Sequence, residues 1–396
     1  MIPSTNLLKF FPIFLILLCA SAVRAQPTIQ EVWARHDKFV MTAASKPIPV
    51  DPSCATKFKG KRGQTVRGWD VGSRNAPVIL TWGGGPGETY SPEYLAASYA
   101  NPLGYRHVSI DQPGTGESAW LSGWKPEDTV DDAAEFLRLR EIKAPVIVTG
   151  WSWGSTMALL FAQRHPNLVG GIVVGGVWTN APEEVAYYLD AAGPRAWMPG
   201  ISEAFRAFSN GRGTACDLHQ AIRDGRGGTA LPKAYQEAEF DQCFQGQIPR
   251  KPLIEPVGRT ESKPVDMKTE TDEGVRFAFI ESEMMCRGQR GEWRLRLRFP
   301  ERLSEVPLIV IQGRYDQVCN PEVARRVFRA WPAKRKVFVP FNGGHWNFYG
   351  PGKEERTQVG LNLNAEQEAQ LGKANRLHFG DAALLGGAAV DCLINP

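Results

Sequence analysis

The sequence lacks the patterns that would assign it to several common classes of protein. It has no Cys-x-x-Cys pair and no His/Cys cluster with the spacing of metal ligands, so we expect no metal site. It has no G-x-G-x-x-G fingerprint, and no Lys-Ser/Thr pair follows its glycine-rich stretch, which argues against a phosphate-binding loop. Internal repeats and low-complexity segments are also absent. The remaining composition, with 43% hydrophobic and 22% charged residues, is that of an ordinary globular protein.

A strong charge of either sign is missing as well. The 396 residues include 46 Lys and Arg against 42 Asp and Glu, a formal net charge of +4. The first 25 residues contain Lys9 and Arg24 and no acidic residue, so the chain without them would have a net charge of +2. Such a balance argues against a nucleic-acid groove and against an electrostatic membrane dock.

The N-terminus has an apolar run with the pattern of a secretory signal peptide. One lysine precedes the run at 10–23, and small residues precede Gln26. The run is short for a bilayer span and no stop-transfer pattern follows it, which disfavours a membrane anchor. A lipoprotein is disfavoured because Leu18, rather than a small residue, precedes Cys19. We therefore predict cleavage after Ala25 and export to the periplasm or the medium.

The most informative segment is Gly-Trp-Ser-Trp-Gly at 150–154. It follows the apolar run at 145–149 and leads directly into a helix-like segment at 155–163. A strand, then G-x-S-x-G, then a helix is the context of a nucleophile elbow, a turn that lifts the serine hydroxyl out of the sheet. The flanking glycines permit the strained backbone and the close packing of strand and helix. We predict that Ser152 is a nucleophile.

A nucleophilic serine needs a base, and the base needs an orienting carboxylate. Asp316 follows the strand-like run at 307–311, and His345 follows the next such run at 336–340. Taken alone, Asp316 could be an ordinary turn residue, and either residue is a weak signal. Because their order and strand context agree, we predict a triad of Ser152, Asp316 and His345.

An oxyanion hole is the fourth part that this chemistry needs. Backbone N–H groups must stabilise the negative charge that develops on the carbonyl oxygen. One donor should be Trp153, directly after the serine. The other should come from the glycine-rich loop after the strand-like run at 78–82, with Gly84 as the first candidate and Gly85 as the next. The alternative is that this loop is an ordinary flexible turn.

These motifs together resemble the proline iminopeptidase family of α/β-hydrolases. The segments that carry the resemblance are GGPG at 84–87, DQPGTGES at 111–118, GWSWGST at 150–156, AQRHP at 162–166, GRYDQVC at 313–319 and GH at 344–345. The match extends from about residue 60 to 350, with a weak zone between about 180 and 300. The resemblance implies the same triad and oxyanion donors, and it implies that no cofactor is needed.

The implied architecture is an α/β-hydrolase fold. We expect a mainly parallel central sheet with helices on both faces, and a mostly helical cap inserted between core strands 6 and 7. Strand-like and helix-like segments alternate as this class requires, but the alternation fails between about 178 and 303. A hairpin-like region around 66–71 precedes the core, and a helix near 131–142 should begin with a capping box of Thr129 and Asp132. The predicted divisions are a signal peptide (1–25), the first part of the core (26–177), the cap (178–303), the second part of the core (304–351) and a C-terminal extension (352–396).

The family holds the free amino terminus of its substrates with cap-domain glutamates. Ile280-Glu281 resembles one of the segments concerned, whereas the other, a Trp-x-x-Trp-Glu-like segment, has no counterpart here. Glu281 and Glu283 are therefore candidate substrate-binding residues, with Trp151 beside the elbow as a third. Both glutamates could instead lie on a solvated helix face. Since positions i and i+2 lie on different faces of a helix, at most one glutamate should point into the pocket.

Cysteine usage agrees with export. Loss of Cys19 with the signal peptide leaves an even number of cysteines, which permits disulfides in 15 possible connectivities. The six that remain are Cys54, Cys216, Cys243, Cys286, Cys319 and Cys392. We favour a bond between Cys216 and Cys243 within the cap. Cys319, three residues after Asp316 as in the family, is expected to be a free buried thiol, with a disulfide as the alternative.

The expected function is that of an exported serine hydrolase that releases the N-terminal residue of a small peptide or amide. Two departures from the family, Gly83 in place of a histidine and Pro113 in place of an arginine, leave the substrate open. A carboxylesterase or xenobiotic amidase with the same triad is the first alternative. A catalytically inactive binding protein of the same fold is another. An epoxide hydrolase or haloalkane dehalogenase is disfavoured, because their nucleophile is an aspartate and residue 152 is serine.

Overall fold

The buried apolar runs of the sequence form one sheet. The structure, a computed structural model, describes residues 27–32, 34–35, 54–88, 105–143, 145–189, 214–243, 263–345 and 389–394. The predicted signal peptide and most of the C-terminal extension lie outside the described residues. The strands of the sheet are β1 (Ala55–Lys59), β2 (Thr65–Val71), β3 (Val78–Trp82), β4 (Arg106–Ile110), β5 (Val146–Trp151), β6 (Val169–Gly175), β7 (Leu308–Gly313) and β8 (Lys336–Phe341).

The sheet is mainly parallel, as predicted. Its strand order is β1-β2-β4-β3-β5-β6-β7-β8. Strands β1, β2 and β4 pair antiparallel, so the predicted hairpin-like region is a hairpin of β1 and β2. Every later pair is parallel. Strands β5 and β7 are buried along their whole length, which explains why each is a continuous apolar run in the sequence.

The described residues also form helices between and after these strands. They are α1 (Pro126–Leu139), α2 (Trp153–Arg164), α3 (Pro182–Leu189), α4 (Ala215–Arg223), α5 (Ala230–Cys243), α6 (Glu273–Gln289) and α7 (Pro321–Ala330). Helices α1 and α2 pack together, and α2 also packs on β3, β5 and β6. Among the described residues, four helices, α3 to α6, lie between β6 and β7, where a mostly helical cap was predicted. Within the described part of the chain, no helix has the length and apolarity needed to cross a bilayer.

The C-terminal residues 389–394 are helical and pack on the sheet. Ala389, Val390 and Leu393 join an apolar cluster with side chains of β3, β5, β6, β7 and β8. Asp391 accepts a hydrogen bond from the Tyr105 hydroxyl at 2.7 Å and pairs with Arg35 at 2.9 Å. This part of the predicted extension is therefore integrated into the core. Cys392 is a free buried thiol there.

The predicted start of α1 is wrong. The helix begins at Pro126, with Lys125 as its N-cap residue and the Asp128 carboxylate accepting the Lys125 N–H at 2.9 Å. Proline suits the first helical position because its fixed φ is helical and its missing N–H has no partner to lose there. Thr129 is consequently a buried residue inside the helix, and Asp132 accepts the N–H of Lys61 at 2.7 Å.

The predicted disulfide between Cys216 and Cys243 is also wrong. Cys216 is bonded to Cys286, with a Cα–Cα distance of 4.4 Å. The physical reason is the packing of the cap: α4 and α6 lie side by side, so the cysteines of these two helices meet. Cys243 ends α5 and is a free buried thiol. Cys319 is free and buried, which confirms that prediction, and Cys54 is partly buried.

Candidate active site

Ser152 lies at the tight turn between β5 and α2. Its backbone has φ 56° and ψ −127°, a strained conformation for a residue other than glycine. The turn is held by two hydrogen bonds, from the Ser152 N–H to the Gly175 carbonyl at 3.0 Å and from the Ser155 N–H to the Ser152 carbonyl at 2.9 Å. This is the geometry expected of a nucleophile elbow.

Two glycines make the elbow sterically possible. A Cβ on Gly150 would lie 2.0 Å from the Gly154 carbonyl oxygen. A Cβ on Gly154 would lie 2.3 Å from the Trp82 carbonyl oxygen. Any side chain at either position would push α2 away from β3 and β5, so the G-x-S-x-G spacing follows directly from the packing.

Asp316 and His345 meet at the ends of β7 and β8. His345 Nδ1 lies 2.9 Å from Asp316 Oδ2, and each of the two residues has an exposed fraction of 1%. The second carboxylate oxygen accepts the backbone N–H groups of Val318 at 2.9 Å and Cys319 at 2.8 Å. The Gln312 amide donates to Oδ2 at 3.0 Å. These contacts fix the carboxylate in an orientation that can hold one imidazole tautomer.

Cys319 connects the serine to this pair. Its Sγ lies 3.9 Å from Ser152 Oγ. The Cys319 sulfur, one carboxylate oxygen of Asp316 and one ring nitrogen of His345 all lie within 4.8 Å of one another. The structure therefore brings the three predicted catalytic side chains together around one thiol. Burial raises the pKa of the Cys319 thiol well above its usual value, so the thiol is neutral and is a poor nucleophile.

The same three groups are a poor donor set for a metal ion. Binding would require the Cys319 thiolate, which burial disfavours, and a lone pair on a histidine nitrogen. His345 Nδ1 is already engaged with Asp316. We find no residue in the described part of the chain that implies a cofactor.

Trp151, predicted to bind substrate, contacts His345. Its indole Nε1 donates to the His345 carbonyl at 3.1 Å, and the two rings lie 6.4 Å apart in an edge contact. On the other side, the Tyr187 hydroxyl donates to the Asp316 carbonyl at 2.8 Å. Both contacts hold the backbone of a predicted catalytic residue. A contact of Trp151 with substrate stays a prediction.

The glycine-rich loop after β3 approaches the elbow closely. A Cβ on Gly84 would lie 3.8 Å from the Ser152 Cβ, so this backbone is next to the serine. Trp153 begins α2, and its indole Nε1 is fixed by a 2.9 Å hydrogen bond to the Gln112 side chain. The N–H groups of Gly84 and Trp153 thus belong to the two segments that flank Ser152, where the sequence predicted the oxyanion donors.

Helix α6 closes over this loop. A Cβ on Gly85 would lie 2.9 Å from the Phe277 ring and 3.6 Å from Glu281 Oε1. A Cβ on Gly87 would lie 3.2 Å from the Ile280 Cβ. Glu281 therefore lies against the predicted oxyanion loop, as a substrate-binding side chain would.

Glu281 belongs to a cluster of three carboxyl groups. It is buried, and it is hydrogen-bonded to Glu239 of α5 and to Tyr235. Burial, and next the charge of Glu239, raise the pKa of Glu281 well above its usual value. Part of the Glu239 side chain is exposed, but protein atoms surround its carboxyl, and this burial raises its pKa to about 8. Glu88, at the end of the glycine loop, also raises the pKa of both.

Glu283 has a different environment from that of Glu281. It is half-buried; burial raises its pKa, whereas Arg287, one turn further along α6, lowers it. In the described residues, none of the contacts that close α6 over the glycine loop involves Glu283. The geometry therefore distinguishes the two glutamates that the sequence left equivalent.

Sequence reasoning missed Glu239 and Glu88. Glu239 is on α5 and lacks the Trp-x-x-Trp-Glu-like context that was sought, so no local signal identified it. Glu88 follows directly after the Gly-Gly-Pro-Gly motif, and that position was a usable signal. The proximity of both residues to Glu281 is evident only in the structure, which brings α5, α6 and the glycine-rich loop together.

Comparison with known proteins identifies the family. The family model described as the alpha/beta hydrolase fold matches residues 77–350. The chain belongs to the α/β-hydrolase family. This α/β-hydrolase is 25% identical over 308 residues to a proline iminopeptidase of Arabidopsis thaliana, covering 75% of this chain and 76% of the relative. It is 29% identical over 284 residues to a proline iminopeptidase of Neisseria meningitidis serogroup A, covering 69% and 84%.

A search of solved structures also finds proteins of this fold. An α/β-hydrolase from a Medee basin deep-sea metagenome library has 15% sequence identity and a TM-score of 0.46, with coverage of 78% of this chain and 100% of that chain. The sequence identity to the two proline iminopeptidases confirms the resemblance that the motifs indicated.

Proposed function

We propose that this α/β-hydrolase is an exported serine hydrolase that releases the N-terminal residue of small peptides or amides. The similarity to proline iminopeptidases supports the reaction class. The observation that carries the substrate class is the carboxyl pair of Glu281 and Glu239 beside the glycine loop. Export rests on the N-terminal pattern of the sequence.

The proposed mechanism is acyl transfer. Ser152 attacks the scissile carbonyl while His345 takes the hydroxyl proton. Since Nδ1 of His345 faces Asp316, Nε2 is the nitrogen that accepts this proton. The N–H groups of Trp153 and Gly84 stabilise the oxyanion. His345 then protonates the leaving amine, and water releases the acyl group from Ser152 by the reverse sequence.

The acid pair accounts for recognition of a free amino terminus. Among the described residues, neither Glu239 nor Glu281 forms an ion pair with a Lys or Arg side chain, and Glu281 Oε2 has no hydrogen-bond partner there. Ionisation of both adjacent carboxyls is unfavourable without a cation, so at least one of them remains protonated at neutral pH. A substrate ammonium would supply the missing charge and the missing donors. Its binding would release a proton from the pair.

The deciding experiment is a comparison of kcat/KM on matched substrates. The set contains prolyl, alanyl and N-blocked prolyl arylamides and a short-chain aryl ester. We expect preference for the free amines, and we expect Glu281→Gln to reduce their kcat/KM by about 100-fold, roughly 3 kcal/mol, because a buried charge pair is lost. Glu283→Gln is the matched comparison on the same helix and should change these values less than about threefold.

A different order of rates on these substrates would favour the esterase alternative. Equal rates with and without the blocking group, a much faster ester, and no effect of Glu281→Gln would make the acid pair irrelevant to recognition. The proposal of an aminopeptidase would then be wrong, although the serine mechanism would stand.

Labelling with a fluorophosphonate probe tests the nucleophile separately. Folded wild-type protein should be labelled at Ser152, and Ser152→Ala should not be labelled. Equal labelling of both proteins, or no labelling of either, would favour a binding protein of hydrolase fold. Export is tested by N-terminal sequencing of the protein recovered outside the cytoplasm, which should begin at Gln26.

A further inference from the structure

Glu88 stands at the junction between the predicted oxyanion loop and the acid pair. The chain turns after the glycines, with the Glu88 N–H donating to the Gly85 carbonyl at 3.3 Å. The side chain then folds back over the loop. Its Oε2 lies 2.8 Å from the place where a Cβ on Gly84 would be, and the Gly84 N–H donates a hydrogen bond to its carboxylate.

This contact conflicts with the role proposed for Gly84. A backbone N–H has one hydrogen, and while it is donated to Glu88 it cannot be donated to a developing oxyanion. The conflict is electrostatic as well, because an ionised Glu88 places a negative charge where the reaction creates another one. Glycine at position 84 lets the carboxylate approach this closely, since a Cβ would occupy the space.

A cation brought by the substrate would be an alternative partner for the Glu88 carboxylate. The titratable groups that face it are Glu239 and Glu281 from the cap helices and His345 from the loop after β8. Among the described residues, neither Lys nor Arg forms an ion pair with Glu88. In an aminoacyl substrate only Cα separates the ammonium from the scissile carbonyl, so an ammonium at the acid pair lies close to Glu88.

We propose that Glu88 is a specificity-determining residue that keeps the Gly84 oxyanion donor occupied until a substrate ammonium draws its carboxylate away. This inference rests on the proposed serine mechanism and adds a selection step to it. A free amino terminus both binds the carboxyl cluster and releases the Gly84 N–H. A neutral ester or N-blocked amide binds without releasing that donor, so it reacts slowly.

The test compares Glu88→Ala with wild type on an alanyl arylamide, its N-acetyl form and a neutral aryl ester. We expect kcat for the two neutral substrates to rise at least tenfold in Glu88→Ala, because an oxyanion donor is worth about 10²–10³ in rate. We expect kcat/KM for the free amine to fall at least tenfold. Glu135→Ala, which removes a partly exposed carboxylate on α1 that pairs with Arg138, is the matched control and should leave the rates on all three substrates unchanged.

The pH profile gives a readout that a purely structural role would not produce. Burial raises the pKa of Glu88 to about 7, so its carboxylate is mostly ionised at pH 8 and mostly protonated at pH 6. The rate ratio of Glu88→Ala to wild type on the neutral ester should therefore be near one at pH 6 and grow as the pH rises.

Two outcomes would overturn the inference. The first is a neutral-substrate rate that stays the same or falls in Glu88→Ala while Ser152-dependent fluorophosphonate labelling is retained. The second is a rate ratio independent of pH. If Glu88→Ala does not fold, Glu88→Gln replaces it, because loss of the negative charge alone should raise the neutral-ester rate severalfold. Failure of the serine mechanism is distinguishable, since wild type itself would then not be labelled.

Discussion

Removal of the disulfide between Cys216 and Cys286 is expected to weaken the cap and to impair substrate binding. The bond joins residues with a sequence separation of 70. In the chain-entropy model, a loop of this length corresponds to about 4 kcal/mol of stability at 25 °C, and measured values for native disulfides are usually about 2–4 kcal/mol. We therefore expect the Cys216→Ala/Cys286→Ala variant to lose about 2–4 kcal/mol of free energy of unfolding.

The assay is urea unfolding of oxidised wild type, the double variant and Cys243→Ala, followed by fluorescence. Cys243→Ala is the matched control, because it removes a buried free thiol from α5 without breaking the bond. Cys243→Ala should lower the free energy of unfolding by about 1 kcal/mol, because loss of one sulfur leaves a small cavity. Stability alone does not identify the pairing, since loop entropy varies only with the logarithm of length. Peptide mapping under non-reducing conditions supplies that assignment.

The disulfide should also affect the site through α6. Cys286 lies on the same helix as Glu281, so loosening α6 moves the carboxyl pair relative to the glycine loop. KM for a free-amine substrate should rise several-fold, whereas fluorophosphonate labelling of Ser152 should change little. A loss of stability below about 1 kcal/mol, or a mapped bond to Cys243, would refute this reasoning.

Three further predictions concern the site. Asp316→Asn should lower kcat by about 10³–10⁴-fold with folding intact, because the amide cannot hold the required tautomer of His345; circular dichroism and steady-state rates check this. Trp151→Phe removes the indole donor to the His345 carbonyl and should lower kcat about fivefold, for one hydrogen bond of about 1 kcal/mol, with KM nearly unchanged; an equal change in KM would contradict it. The pKa of Glu239 is raised to about 8, so its carboxyl is protonated below that pH. KM for a free-amine substrate should therefore fall as the pH rises from 6 to 8. Glu281→Gln should make KM less dependent on pH over this range.

The sheet was predictable because its chemistry is local and repeated. Strands buried on both faces are continuous apolar runs, and the runs at 78–82 and 145–149 lie at β3 and β5. The elbow was predictable for a related reason. Its two glycines are required by contacts within a few residues or with the neighbouring strand, so the motif itself carries the geometry.

The errors arose where a choice depended on packing between distant segments. Nothing near Cys216 distinguishes Cys243 from Cys286 as its partner; the contact between α4 and α6 decides it. The start of α1 was misplaced for a local reason, because Pro126 outweighs the Thr129 and Asp132 pattern. The fixed φ of proline at the first helical position therefore determines the start of this helix, and the capping-box pattern does not.

The carboxyl cluster combines both kinds of information. Glu88, Glu239 and Glu281 come from three separate segments, and no spacing in the sequence relates them. They converge because α6 packs tightly on the loop after β3, and this packing requires glycine at 85 and 87, where a Cβ would meet Phe277 and Ile280. The glycines of the loop therefore have two roles, one in placing N–H groups beside Ser152 and another in admitting the helix that carries Glu281. A motif interpreted only as an oxyanion loop conceals the second role, and with it the position of the carboxyl cluster.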